Sequence, residues 1–159
     1  MRLLLSFILL TVVWVAPLKA STESIPKMNE KIVEYVNSVM GTQVDRGECW
    51  DLANRALKLV NADWDKMYVY GKPVDYEKET VYPGDIVHFE DVVVKQTVGL
   101  TTTTESMGQH TAIIMKVYDK GVYELAHQNT SFSGRKVGTS PIDLSGVVEG
   151  TVIIYRPVK

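Results

Sequence analysis

Apolar residues fall at helical spacing in the first third of the chain and in short strand-like runs after it. Residues 25–40 carry apolar positions at Met28, Ile32, Tyr35, Val36, Val39 and Met40, with Pro26 near the first turn and Gly41 as a stop, and this predicts a first helix. A second and stronger stripe begins at Cys49 and continues through Leu52, Ala53, Ala56, Leu57 and Val60, the i, i+3, i+4, i+7 pattern of an amphipathic helix. Its opposite face carries Asp51, Asn54, Arg55 and Lys58. Asp51 suits the positive N-terminal end, Lys58 suits the last turns, and Asp51 with Arg55 makes an i,i+4 pair of favourable orientation. The two helices are expected to pack together across the short connection 42–48, where Gly47 lets backbone approach closely just before Cys49.

Residues 61–66 read as a turn, and 67–70 as a short edge strand ended by Gly71 and Pro73. Pro83-Gly84-Asp85 is a turn signal before the apolar run 86–89, whose His88 reads as a structural strand histidine. The stretch 91–109, with its polar run Thr101 to Thr104, is too long for a tight hairpin and reads as a loop near a site or an insertion. The apolar runs 111–117 and 122–128 are joined by Tyr118-Asp119-Lys120-Gly121, a hairpin turn. If Asp119 and Lys120 form the loop, His110 faces Asn129 and Ala112 faces His127. His110, His127 and Asn129 then project from one side of the sheet at one end of the hairpin, whereas an odd-length loop would bring Gln128 and Thr130 opposite His110. A last strand is expected at 151–155, before Pro157, after a turn-rich approach over 143–150.

Composition narrows this picture. With 45% hydrophobic and 23% charged residues, the 159-residue chain fits one globular domain, and a second has no room. Residues 1–20, with Arg2, the apolar run from Leu3 to Val15 and a small-residue end at Ala20, have the layout of a secretory signal peptide, so secretion and a single domain over 21–159 are expected. The apolar run is shorter than the roughly 20 residues that span a bilayer, and no stable membrane anchor is expected after cleavage. Without Arg2 and Lys19, basic residues fall from 17 to 15 against 19 acidic ones, a charge of about −4 that argues against nucleic-acid or anionic-membrane partners. Cys49 is the one cysteine, so no internal disulfide is available; an odd cysteine in a secreted chain is intermolecular, buried or reactive.

The chemistry these residues suggest is nucleophilic. At a helix N-terminus, unpaired backbone N–H groups and the helix dipole favour a thiolate at Cys49. Cysteine–histidine catalysis also needs an imidazole to carry the proton and a polar group to hold that imidazole's tautomer. His110 supplies the first, and His127 or Asn129 the second. The backbone N–H of Cys49 and the amide of Gln43 are the candidate oxyanion donors, although Gln43 also reads as a solvated loop residue. Inert packing of a free cysteine is the bland alternative. His88, His110, His127 and Cys49 lack the short spacings of a zinc site, and no metal or other cofactor is expected. Asn129-Thr130-Ser131 matches the N-glycosylation triplet, which is short enough to arise by accident and is read so here.

Gly47-Glu48-Cys49-Trp50-Asp51-Leu52-Ala53, Pro83-Gly84-Asp85-Ile86-Val87, Gly108-Gln109-His110-Thr111-Ala112 and His127-Gln128-Asn129 together resemble the ordered blocks of the NlpC and CHAP group of papain-like cysteine peptidases and amidases. The chain is similar also to the cysteine-proteinase-fold domain of myosin-tail-region-interacting proteins. The likeness covers about residues 25–156. It implies an α+β fold, with N-terminal helices carrying the cysteine and packed on an antiparallel β-sheet. It also implies Cys49 as nucleophile, His110 as base, and a peptide or peptidoglycan-like substrate cleaved at an amide bond. CHAP members often place a glutamate and an asparagine two residues apart at the third position; this chain has His127 and Asn129 there, and NlpC members can use histidine. The myosin-interactor likeness implies a second reading, an interaction module without useful turnover, and a lipid acyltransferase is a third.

Overall fold

The structure, a computed structural model, describes residues 24–98 and 100–159; the expected leader at 1–20 lies outside the described residues. Among the described residues two helices, α1 (Lys27–Ser38) and α2 (Cys49–Leu59), precede seven strands: β1 (Lys72–Val74), β2 (Ile86–Val98), β3 (Thr101–Met107), β4 (His110–Asp119), β5 (Val122–His127), β6 (Gly138–Asp143) and β7 (Val147–Arg156). A 3-10 turn, Leu144–Gly146, leads into β7. All strand pairings are antiparallel, in the order β1-β7-β2-β4-β5-β6, with β3 paired to β2. The fold is α+β, as expected.

The helices cover one face of the sheet. Ile32 and Val36 of α1 and Leu52, Ala56 and Leu57 of α2 pack with Ile86, Ile113, Ala126 and Tyr155 from the strands. Val87, Phe89, Ala112, Ile114, Leu125 and Ile154 form a second cluster on the other face. The central strands are therefore buried on both sides, which is why they read as unbroken apolar runs rather than as alternating ones. Each fully buried aliphatic side chain contributes about 1.5–3 kcal/mol, and this two-sided burial holds a chain that has no disulfide.

Several local readings change. The 91–109 stretch is a long two-stranded arm, because β2 runs on to Val98 and turns back as β3, with Val98 opposite Thr101. Its polar threonines concealed it, since both faces of β3 are exposed and no apolar alternation is needed. The edge strand expected at 67–70 lies instead at 72–74, where Pro73 is tolerated because β1 is at the sheet edge. Strand β6, which contains Gly138 and Pro141, carried no strand signal, and β7 begins at Val147 rather than Thr151. Asp51 pairs with Arg46 at 2.7 Å, and Arg55 with Asp45 at 2.7 Å, in place of the expected Asp51–Arg55 pair.

The hairpin register at the site end is the expected one, although the turn is not. Asp119 lies opposite Val122, so Lys120 and Gly121 form the loop. Two register shifts along the strands then restore Ile114 opposite Leu125 and Ile113 opposite Ala126. Continued along the strands, that register sets His127 across from Ala112, one diagonal step from His110.

Candidate active site

Cys49 is the first residue of α2, and the loop before it is built to hold it there. Gly47 has φ +83°, and a Cβ at this position would lie 2.5 Å from Cβ of Arg135, so only glycine fits. Asp51 is buried and reaches back along the helix start, accepting hydrogen bonds from the N–H groups of Arg46 (3.0 Å) and Glu48 (3.1 Å). Gln128 fastens this loop to the chain just after His127. It is fully buried, accepts from Val44 N–H at 2.8 Å, and donates to the carbonyls of Val44 (3.2 Å) and Glu48 (3.0 Å). One side chain thus ties the segment before the thiol to the strand end that carries the second histidine.

The imidazoles form a chain. His110 Nε2 and His127 Nδ1 are 2.9 Å apart, and His127 Nε2 is 3.0 Å from Ser140 Oγ on β6. For His110 Nδ1 to be the basic nitrogen, His110 carries its proton on Nε2 and donates it to His127 Nδ1, while His127 donates from Nε2 to Ser140. Phe132 packs against the His127 ring, with centroids 5.4 Å apart, and Phe89 lies against His110. Burial depresses both imidazoles, His110 to about 4 with further help from His88, and His127 to about 3 with further help from His110. Both are neutral at pH 7.

Cys49 is half-buried, and burial raises its thiol above the ordinary value; the backbone N–H groups of Thr111, Trp50 and Cys49 itself pull the other way. The helix start therefore does not win over desolvation, and the expected easy loss of the proton is reversed. Among the described residues no hydrogen bond joins the thiol to His110. The two do share a cavity of about 340 Å³, which His127, Asn129, Met107 and Gln109 also line. A second cavity of about 560 Å³ also borders Cys49 and is lined by Trp50, Tyr68, Arg46 and Lys66.

Not every expected residue joins the chain of imidazoles. Asn129 has φ +58°, so the backbone turns away where β5 ends, and its side chain donates to Glu48 Oε2 at 2.8 Å instead of orienting His110. Gln43 is exposed and donates to the carbonyl of Asp45 at 3.1 Å; it lines a groove with Tyr35, Arg55 and Lys58 and not the cavities beside Cys49. His88 is buried against Tyr68 and Thr111 and touches Glu90 at 3.3 Å, in keeping with its structural reading. Glu48 and Trp50, which flank Cys49, make contacts that hold the fold together around it. Glu48 also pairs with Arg135 at 3.1 Å, and the Trp50 indole donates to the Met67 carbonyl at 2.7 Å. Ser140 and Gln128 went unassigned because a serine in an unpredicted strand and a glutamine between two candidates carry no signal without the fold.

A family profile described as the AIM3/BBC1 cysteine proteinase-fold domain matches residues 22–159. The chain belongs to this family. A curated relative, Altered inheritance of mitochondria protein 3 of Debaryomyces hansenii, is 26% identical over 155 aligned residues, covering 83% of this chain and 16% of that protein. The chain thus spans about a sixth of that relative's length. Two solved structures are also similar. The crystal structure of Ly7917 aligns with a TM-score of 0.45, 15% identity, 80% of this chain and 62% of that one. The crystal structure of Ly7917 with the hydrolyzing product of MDP aligns with a TM-score of 0.48, 15% identity, 81% of this chain and 62% of that one. Within the AIM3/BBC1 cysteine proteinase fold, Cys49, His110 and His127 all border one cavity.

Proposed function

We propose that this domain is a cysteine hydrolase of peptide amide bonds, with Cys49 as nucleophile, His110 as base and His127 as the group that orients His110. The observation that carries the reading is the His110–His127–Ser140 chain at 2.9 and 3.0 Å beside the cavity that also holds Cys49. A buried pair of imidazoles costs desolvation, and a chain that fixes one tautomer is what a proton carrier requires.

The resting pair is a neutral thiol and a neutral imidazole. On substrate binding, the thiol proton passes to His110 Nδ1 as the sulfur bonds to the carbonyl carbon, and the backbone N–H of Cys49 faces the oxyanion. The C–N bond then breaks, and His110 returns the proton to the leaving amine, leaving a thioester. Water attacks the thioester carbon and gives a proton to His110, and as the C–S bond breaks His110 passes that proton to the sulfur, which restores the neutral thiol and releases the carboxylic acid. Cell-wall peptides are the first substrates to test, on the strength of the NlpC and CHAP likeness, and export through residues 1–20 belongs to the same proposal. Incubating purified peptidoglycan peptides with the wild-type chain and with Cys49→Ala tests it: hydrolysis is expected from the first and not the second, and equal rates would refute it.

A second reading, a binding module without turnover, is favoured by one observation: the raised thiol has no hydrogen bond to His110. It is separated from the first by His110→Ala. In a hydrolase this change slows alkylation of Cys49 by iodoacetamide; in a module it leaves the rate unchanged.

A further inference from the structure

Strand β3 has the edge of a sheet to itself, and that edge leads into the candidate site. Strands β3 and β4 pair with the same edge of β2, β4 at Ile86 to Phe89 and β3 at Val92 to Val98, so they lie end to end with Gly108 and Gln109 between them. Beyond β4 lies β5, but β5 stops at His127 and the chain turns off at Asn129. Among the described residues no strand fills the lane that would continue β5 alongside β3, which pairs with β2 and no other strand; Thr130 and Ser131 border only the cavity at its inner end.

Alternate residues between Thr103 and Met107 aim their N–H and C=O groups into that lane. Free edges are normally guarded by lysine, proline or a covering element. The stretch Thr103-Thr104-Glu105-Ser106-Met107 has neither lysine nor proline, and its first four residues are exposed. Its inner end, Glu105, Ser106 and Met107, lines the same cavity as Cys49, His110 and His127.

We infer that an extended peptide substrate adds to the free edge of β3 as an extra strand, which delivers its scissile bond to Cys49. The inference rests on the hydrolase reading for the chemistry but not for the docking. β3 runs toward the cavity, so a peptide paired antiparallel to it runs from the cavity toward the tip of the arm. The residues lying along β3 are then those on the C-terminal side of the scissile bond. Recognition is through the backbone, so it requires an unfolded segment whose pairing positions are not proline and places little demand on side chains.

The test uses the full chain as Cys49→Ala, with oxidised insulin B chain at millimolar concentration as the probe, and follows backbone amide exchange. Slower exchange at alternate amides between Thr103 and Met107 is expected, and it should vanish when the probe is N-methylated along its backbone. Unchanged exchange, or equal protection by the N-methylated probe, overturns the inference. In the active chain, replacing residues 95–104 by a two-residue turn should raise KM for the same peptide about tenfold, the effect of losing two backbone hydrogen bonds of ordinary net strength, with kcat unchanged. Turnover with unaltered KM would overturn the docking and leave the hydrolase standing; protection without any turnover would do the reverse.

Discussion

Gln128→Met tests whether the two halves of the site are fastened through one side chain. Methionine matches glutamine in length and shape, so the substitution removes polar bonds without opening a cavity. Of the three groups Gln128 serves, two keep a partner: the Val44 carbonyl also accepts from Gly47 N–H at 2.9 Å, and the Glu48 carbonyl from Asp51 N–H at 3.0 Å. Only the Val44 N–H is left without a partner in a buried place, at a cost of about 1–3 kcal/mol, while each thinned carbonyl adds a few tenths. The added apolar surface of methionine returns about 1 kcal/mol, which leaves a net loss of about 2 kcal/mol. Guanidinium unfolding followed by tryptophan fluorescence measures this directly, since Trp50 and Trp64 pack against the helix–sheet core. A loss below about 0.5 kcal/mol would refute the reasoning, because it would mean that Val44 N–H finds water or another acceptor as readily as Gln128. Faster exchange of the Val44 amide is expected to accompany the loss.

Three further outcomes are expected. Burial holds His110 at about 4 and His127 at about 3, below the unfolded value, so the unfolded chain takes up these protons first; the stability this contributes is present above about pH 6.5 and is lost toward pH 4, by about 3 kcal/mol for each histidine. Thermal unfolding across that range checks this, and a His110→Phe, His127→Leu double variant should flatten the slope. Because burial raises the Cys49 thiol, the rate of alkylation by iodoacetamide should keep rising through about pH 8.5 with no plateau at neutral pH, and a plateau near pH 6 would overturn the neutral-pair resting state. Ser140→Ala removes the acceptor for His127 Nε2, an orienting contribution of about 1 kcal/mol, so kcat/KM should fall about fivefold with the fold unchanged by circular dichroism.

The sequence by itself determined the features that depend on neighbours along the chain. The start of α2 at Cys49 follows from apolar spacing, and the hairpin of β4 and β5 follows from two apolar runs joined by a short turn, although two register shifts that only the folded strands show are what set His127 one diagonal step from His110. Gly47 was legible as a close-approach position, although not that Arg135 is what approaches. Tertiary structure alone decided what depends on distant segments. Asn129 and His127 are equivalent on a period of two, and only the left-handed turn at Asn129 separates them, sending its amide to Glu48. Gln43 lies six positions before Cys49, yet the turn at residues 44–47 carries it round to another groove. The sign of the thiol's shift was the least legible of all: a helix N-terminus can be read from local pattern, but the desolvation that outweighs it is a sum over atoms from α2, β4 and the loops around the cavity, and that sum exists only once the chain has folded.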